Sequence, residues 1–112
     1  MSTKLRFSKK VKEAIGAQRP ILALESTIIA HGMPYPDNLD FAIRAETLCQ
    51  DLEVVPATIA IIEGDVCVGL EPDELEKIAR GSNIKKISMR ELGLATALGW
   101  SGATTVSASI AI

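Results

Sequence analysis

The chain has 112 residues, of which 47% are apolar and 23% are charged, a balance typical of a folded soluble domain. Its formal net charge is −2, from 12 Lys and Arg against 14 Asp and Glu, so it lacks the basic excess that proteins use to contact nucleic-acid phosphates. We therefore expect one domain over residues 1–112, with a modest core and no nucleic-acid partner.

Two cysteines, Cys49 and Cys67, and one histidine, His31, are too few for a zinc site or a disulfide framework. We expect both thiols to be buried and reduced, in a cytoplasmic protein. Residues 1–12 carry five basic side chains and no acidic one, which also fits a mitochondrial targeting segment. Lysine outnumbers arginine there, so a solvated first helix is the favoured interpretation.

The first part of the chain alternates between helical and strand patterns. Residues 8–18 predict a short helix that Pro20 ends. The apolar run 21–24 predicts a strand buried on both faces. The loop 31–36 is rich in Gly and Pro and predicts a rigid connector, because each proline fixes its φ angle.

A second helix is predicted to begin at Asp37 or Asn38. Its predicted inward face is apolar and consists of Leu39, Ala42, Ile43, Leu48 and Leu52. Residues 58–62 predict a second strand, and a two-residue turn at 64–65 leads into another strand at 66–68.

The third helix has clear signals at both ends. Pro72 and the acidic residues after it favour a helix start, and basic residues followed by Gly81 favour its end. Residues 85–87 predict a short strand, and residues 88–91 fit a capping box for a helix over 89–98.

Gly99 is the predicted stop of that helix, and no charged residue follows Glu91. The 21 remaining residues are long enough to cross a bilayer, but nine are Gly, Ser or Thr, so a segment enclosed by protein is expected and a membrane span is not. The chain stops on an apolar run at 110–112, which leads us to expect a fragment that is incomplete at its C-terminus. The alternation predicts an α/β fold with a thin mixed sheet of three or four strands.

Glu25 follows a predicted strand, at the end of the sheet where α/β folds place their ligands. A carboxyl group there can donate a proton to a substrate, or it can accept hydrogen bonds from a nearby loop as a structural residue. His31 can likewise be a substrate contact or a residue that makes a structural hydrogen bond. The position of each residue leaves both interpretations open.

Lys85 and Lys86 are adjacent, so one of them can point inward toward a phosphate or a sugar hydroxyl while the other stays solvated. Two solvated lysines are the alternative. The stretch 101–106 combines glycine with hydroxyl side chains, and a helix beginning at Val106 would offer free N–H groups to an anion. A simple hydroxyl-rich cap and turn is the alternative there.

Four blocks of sequence resemble the indigoidine synthase A-like family of pseudouridine-5′-phosphate glycosidases. They are ALESTIIAHGMPYPDN (23–38), VPATIAIIEGDVCVGL (55–70), KISMREL (86–92) and SGATTVSAS (101–109). They stand in the order and at the spacing of the family, and they span nearly all of the chain after its first twenty residues. The resemblance implies a partial α/β/α sandwich, the N-terminal part of a single domain.

The resemblance also implies a reaction. The family cleaves the C–C glycosidic bond of pseudouridine 5′-phosphate reversibly to uracil and ribose 5-phosphate, as a lyase or glycosidase. It requires a divalent metal, usually Mn²⁺, and the full-length protein is a homotrimer. Its proposed mechanism opens the ribose ring and forms an imine with a lysine, which supplies the electron sink that a carbon leaving group needs.

By the same resemblance, the proton donor of the family falls on Glu25 and a substrate-binding lysine on Lys86. A further substrate contact falls on Val106, through its backbone. The nucleophilic lysine and the metal-binding aspartate of the family lie downstream of residue 112. We therefore expect no metal ligand and no catalysis in this chain alone. An inactive sugar-phosphate-binding or co-assembling fragment, or one piece of a protein fused to a sugar kinase, is the alternative.

Overall fold

The computed structural model describes residues 4–112, which form six strands and six α-helices. The strands are β1 (Leu5–Phe7), β2 (Ile21–Leu24), β3 (Val55–Ile62), β4 (Asp65–Val68), β5 (Lys85–Ile87) and β6 (Gly102–Thr104). The helices are α1 (Lys9–Gly16), α2 (Thr27–His31), α3 (Asp37–Asp51), α4 (Pro72–Arg80), α5 (Leu92–Leu98) and α6 (Val106–Ala111). A 3₁₀ turn at Met89–Glu91 precedes α5.

The strands form one mixed sheet, which confirms the predicted α/β class. Its order is β1-β4-β3-β6-β5, and β2 also pairs with β3. The long strand β3 is antiparallel to β4 and β6 and parallel to β2. The prediction of three or four strands was too low, because β1 and β6 are only three residues long and too short to show a periodic pattern.

β2 and β6 approach each other end to end along the same edge of β3. β2 runs parallel to β3 and pairs with Val55 to Thr58, whereas β6 runs antiparallel and pairs with Ala60 and Ile61. Their C-terminal ends therefore meet beside Ile59. β5 is parallel to β6, so its C-terminal end reaches the same place.

Two clusters of apolar side chains cover the two faces of the sheet. The larger cluster joins α2, α3 and α4 to Ala60, Cys67 and Ala103. The smaller joins Ile61 and Ile87 to α5. Side chains alternate along a strand, so the neighbours Ala60 and Ile61 belong to opposite clusters. Cys67 and Cys49 are free and buried, as predicted.

The predicted burial of β2 on both faces is wrong. β3 is its one partner strand within residues 4–112, and 37% of Ile21 and 48% of Leu22 is exposed. An apolar run indicates a strand, but the number of its neighbours depends on distant parts of the sequence. Among the residues that the structure describes, one edge of β2 therefore has no strand partner.

The predicted inward face of α3 is wrong for three of its five residues, which are exposed: Ile43, Leu48 and Leu52. The buried residues of the helix are Asn38, Ala42 and Cys49. α3 is therefore rotated about its axis relative to the face that its apolar residues predict.

Asn38 determines this orientation of α3. Its side-chain amide is fully buried and donates to the carbonyl oxygens of Ile29 in α2 and Ala79 in α4, at 2.7 and 2.6 Å. Its Oδ1 accepts from the Leu39 N–H at 2.8 Å. If the apolar face turned inward, these buried polar groups would lose their hydrogen bonds. Each unsatisfied group would cost about 1–3 kcal/mol.

α4 has the predicted ends. Pro72 opens it and Gly81 closes it with a left-handed φ of 74°. A capping box does occur here, because the side chains of Glu71 and Glu74 each accept from the backbone N–H of the other residue. The box predicted at residues 88–91 was wrong, since the Ser88 hydroxyl donates to the Glu91 carboxylate and neither side chain caps the backbone.

The β3–β4 turn lies one residue earlier than predicted. Ile62 pairs with Asp65, so Glu63 and Gly64 are the two turn residues. Both have positive φ angles, 48° and 84°, as a type I′ hairpin turn requires. Gly99 ends α5 with φ 68°, as predicted.

The uncharged end of the chain divides into α5, β6 and α6. Within residues 4–112, no helix has both the length and the apolar character needed to cross a bilayer. The small residues of this segment allow close contact, most clearly at Gly102. A Cβ added there would overlap the Ile87 side chain and come within 2.7 Å of the Lys85 carbonyl oxygen.

We predict that Gly102→Ala destabilises the fold by about 1–3 kcal/mol, because the β5–β6 contact has no room for a methyl group. Gly93→Ala is the matched control, since nothing lies within 4 Å of its added Cβ in helix α5. The control should raise stability by about 0.5–1 kcal/mol. Urea unfolding followed by circular dichroism measures both, and equal effects of the two variants would contradict the account.

We also predict that Leu22→Lys lowers self-association of the chain, because a charge on an open strand edge opposes edge-to-edge pairing. Leu48→Lys is the control, since Leu48 is an exposed leucine on α3, away from the edge. Sedimentation velocity at increasing concentration compares them. An effect of Leu48→Lys as large as that of Leu22→Lys would show that general apolar exposure, not the strand edge, causes association.

Candidate functional site

The three strand ends meet at a junction of backbone hydrogen bonds. The Ser26 N–H, just after β2, donates to the Thr104 carbonyl oxygen at the end of β6, at 3.0 Å. The Thr105 N–H donates to the Ile87 carbonyl oxygen at the end of β5, at 2.9 Å. Segments from three separate parts of the chain are thereby fixed side by side.

Two buried hydroxyl groups complete this junction. Ser26 Oγ and Thr104 Oγ1 both donate to the carbonyl oxygen of Ile59, at 2.6 and 2.7 Å. The Thr104 N–H in turn donates to Ser26 Oγ at 2.8 Å. Ser26 and Thr104 have no exposed surface. A buried network with its members satisfied holds one geometry firmly.

Glu25 lies directly beside the junction, half-buried between β2 and α2. Its carboxylate oxygens accept from the backbone N–H groups of Thr27 and Ile28, at 3.1 and 3.3 Å. These are the hydrogen bonds of the structural interpretation. Each carboxylate oxygen has a second acceptor position, so both can also contact a ligand.

Glu25 caps α2 because Ser26 does not. Ser26 occupies the N-cap position, where serine usually accepts from the helix N–H groups, but its hydroxyl is turned toward β3 and β6. The hydroxyl of Thr27, next along the chain, is also buried and has no hydrogen-bond partner within residues 4–112. The Thr27 hydroxyl is therefore a buried polar group beside Glu25 whose hydrogen bond the described residues do not supply.

Lys86 is exposed and forms no ion pair with another residue in 4–112. Through its pairing with Ala103 it lies on the sheet face that α2 also covers. Lys85 is exposed on the opposite face, with its Nζ 4.8 Å from the centroid of the Trp100 ring. The structure therefore shows two solvated lysines, of which Lys86 shares its sheet face with α2.

Val106 is the first residue of α6, which confirms the helix predicted to start there. Its side chain is exposed. The Thr105 hydroxyl caps the helix by accepting from the Ala108 N–H at 3.4 Å. Val106 directly follows the residue whose N–H is bound to the end of β5, so its backbone adjoins the junction.

His31 is the last residue of α2 and is exposed, not part of the loop in which it was predicted. The connector after it is held against α4. Tyr35 Oη donates to Glu76 at 3.3 Å, and the guanidinium of Arg80 lies 4.8 Å from the centroid of the Tyr35 ring. This anchoring fits the predicted rigid connector.

The divalent metal implied by the family resemblance has no complete set of ligands here. Among the side chains that the structure describes, no three His, Cys, Asp or Glu residues come together in a way that could hold an ion. We therefore assign no residue of this chain a role as a metal ligand.

A separate groove lies between α1, α3 and α4, with a volume of about 490 Å³. It contains none of the three predicted site residues. One of the partly buried carboxyl groups that line it is Glu46, which accepts from Thr58 Oγ1 at 2.7 Å. Burial raises the pKa of Glu46 above its ordinary value, and the Thr58 hydrogen bond and the charge of Lys10 oppose that rise.

The family resemblance predicts Glu25, Lys86 and Val106 as site residues. Sequence alone gives no role to Ser26, includes Thr104 only in the hydroxyl-rich stretch 101–106 and indicates Asn38 only as a helix start. The hydroxyl-rich stretch 101–106 and the serine after Glu25 were visible signals. Their pairing across 78 positions of the chain was not, because no local pattern reports a contact between distant strands.

Comparison with known proteins supports the resemblance. Residues 10–112 match the family model described as indigoidine synthase A like protein. Pseudouridine-5′-phosphate glycosidase 2 of Rhizobium johnstonii is 50% identical over 107 residues, covering 96% of this chain and 35% of the relative. A pseudouridine-5′-phosphate glycosidase of Mycoplasmopsis agalactiae is 46% identical, covering 95% and 35%.

Two solved structures are similar. An indigoidine synthase A-like protein of Thermotoga maritima has a TM-score of 0.82 at 28% identity, over 96% of this chain and 35% of that one. The prealnumycin C-glycosynthase AlnA in complex with ribulose 5-phosphate has a TM-score of 0.83 at 35% identity, over 99% and 35%. The chain thus spans about a third of the length of these relatives.

We predict that Glu46→Gln raises the urea midpoint at pH 7. A raised pKa means that the folded state binds this proton more tightly than the unfolded state, so stability falls as pH rises from the ordinary glutamate pKa through the folded one. The gain should vanish below about pH 4, where both states are protonated. Glu13→Gln, on the exposed side of α1, controls for loss of one negative charge. A gain for Glu46→Gln that persists at pH 3.5 would contradict the assignment to ionisation.

Proposed function

Since the chain belongs to the indigoidine synthase A-like family, we propose that it supplies the Glu25 part of a pseudouridine-5′-phosphate glycosidase site. The observation that carries this proposal is the junction of β2, β5 and β6. Two linked hydrogen bonds support the proposal, from the Ser26 N–H to Thr104 and from the Thr105 N–H to Ile87. Glu25, Lys86 and Val106 are distant in sequence, and each directly adjoins one residue of these bonds.

Each residue is suited to one task. Glu25 has free acceptor positions on both carboxylate oxygens and can hold the proton that the departing uracil carbon receives. Lys86 offers an exposed cation to a phosphate or sugar oxygen. Val106 offers its backbone at the start of α6.

The remaining machinery is assigned to sequence outside these 112 residues. The relatives are about three times as long, and the family resemblance puts the nucleophilic lysine and the metal-binding aspartate downstream. We propose that the whole protein uses Mn²⁺, forms a homotrimer and acts in the cytoplasm. The 112 residues alone then bind ribose 5-phosphate without cleaving pseudouridine 5′-phosphate.

A second function is a non-catalytic one, in which the chain binds sugar phosphates or assembles with intact subunits. The structural similarity to AlnA in complex with ribulose 5-phosphate supports the sugar-phosphate ligand of this function. Both functions share the sugar-phosphate ligand, and turnover separates them.

The test extends the chain to the length of its relatives and measures uracil release from pseudouridine 5′-phosphate with Mn²⁺. We expect release by the extended protein and none by residues 1–112. Glu25→Gln should lower kcat of the extended protein by about 10²–10⁴-fold, the usual contribution of a general acid. Glu13→Gln, on α1 and outside the junction, should leave kcat unchanged.

Uracil release by residues 1–112 would refute the assignment of catalysis to downstream residues. A Glu25→Gln variant with full kcat would refute the donor role. An extended protein that binds ribose 5-phosphate but releases no uracil would favour the non-catalytic function.

A further inference from the structure

We propose that Thr104 and Ser26 are positioning residues that hold the Glu25 carboxylate in its place on α2. The inference rests on the proposed role of Glu25. Neither residue contacts Glu25 with its own hydroxyl, so both would act by fixing the backbone at the start of α2.

The Ser26 hydroxyl is directed away from α2. Its two hydrogen bonds, to the Ile59 carbonyl oxygen and from the Thr104 N–H, point it into the sheet. A serine at the N-cap would otherwise accept from the second or third N–H of its helix. With Ser26 engaged in the sheet, the Ile28 N–H, the second of the helix, is left to Glu25, which also accepts from the Thr27 N–H.

Thr104 holds Ser26 in this orientation. Its N–H holds Ser26 Oγ, and its own Oγ1 shares the Ile59 carbonyl oxygen with Ser26. Thr104 Oγ1 also lies 2.9 Å from Ser109 Oγ in α6. Loss of the Thr104 hydroxyl leaves the Ser109 hydroxyl and the Ile59 carbonyl underbonded, and the β6 end that holds Ser26 loses its anchor.

The same junction adjoins the other two proposed site residues, Lys86 and Val106. Thr104 pairs with Ile87, the neighbour of Lys86, and Thr105 leads into Val106. A shift of the β6 end therefore changes the spacing of Glu25 from both proposed substrate contacts. A misplacement of about 1 Å can lower a rate 10²-fold, so a rigid anchor matters here.

Thr58 provides the matched control. Like Thr104, it is a buried threonine of the sheet that donates one close hydrogen bond, in its case to Glu46 of α3. It precedes Ile59 directly. Its side chain lies on the same face of β3 as Ala60 of the larger cluster, whereas Thr104 pairs with Ile87 of the smaller cluster. A merely structural effect of losing a buried hydroxyl should be similar at both positions.

The experiment compares Thr104→Val, Ser26→Ala and Thr58→Val in the 112-residue chain. Urea midpoints report stability, ¹⁵N amide shifts of Thr27 and Ile28 report the Glu25 cap, and calorimetry reports affinity for ribose 5-phosphate. We expect all three variants to lose stability. Thr104→Val and Ser26→Ala should also shift both amide signals and weaken ribose 5-phosphate binding about tenfold, and Thr104→Ser should restore both readouts.

Unchanged Thr27 and Ile28 signals in Thr104→Val and Ser26→Ala would overturn the proposal, as would an equal shift in Thr58→Val. If Thr104→Val does not fold, Ser26→Ala and Thr104→Ser carry the same comparison. A wild-type chain that fails to bind ribose 5-phosphate would count against the proposed function only, because the amide signals test the positioning role without any ligand.

Discussion

The carbonyl oxygen of Ile59 accepts hydrogen bonds from two buried hydroxyl groups, and the meeting of three strand ends depends on that interaction. β2 and β6 run toward each other along one edge of β3, so no continuous strand spans the gap between them. Ser26 and Thr104 close the gap. Side chains and not a strand ladder fill the gap, and Glu25 and the start of α6 directly adjoin it.

Asn38 likewise joins separate elements through buried hydrogen bonds, on the sheet face that α2, α3 and α4 cover. It joins α3 to the carbonyl oxygens at Ile29 and Ala79, which lie in α2 and α4. α2 carries the N–H groups that hold Glu25, so the orientation of α2 is fixed twice, by Ser26 at its start and by Asn38 near its end. Buried polar groups with satisfied hydrogen bonds thus fix the orientation of α2 and α3 in this fold.

Sequence alone predicted the elements whose signals are local. α4 has its start and stop residues, Pro72 and Gly81, within its own segment. β6 was missed because it is three residues long and is defined by its backbone pairing with β3 and β5, which are distant in sequence. The α3 face was wrong because hydropathy cannot weigh the hydrogen bonds of Asn38 against exposed leucines. The family resemblance predicts Glu25 as a site residue, and the structure shows the hydrogen-bond network of Ser26 and Thr104 beside it.

The central claim is that the junction beside Ile59 is where a sugar phosphate binds. A crystal structure of the chain with ribose 5-phosphate tests it most directly. The account predicts electron density for the ligand between Glu25, Lys86 and the backbone at Val106, with the Ser26 and Thr104 hydroxyls still bound to Ile59. Ligand density in the groove beside Glu46, with the junction empty, would contradict it.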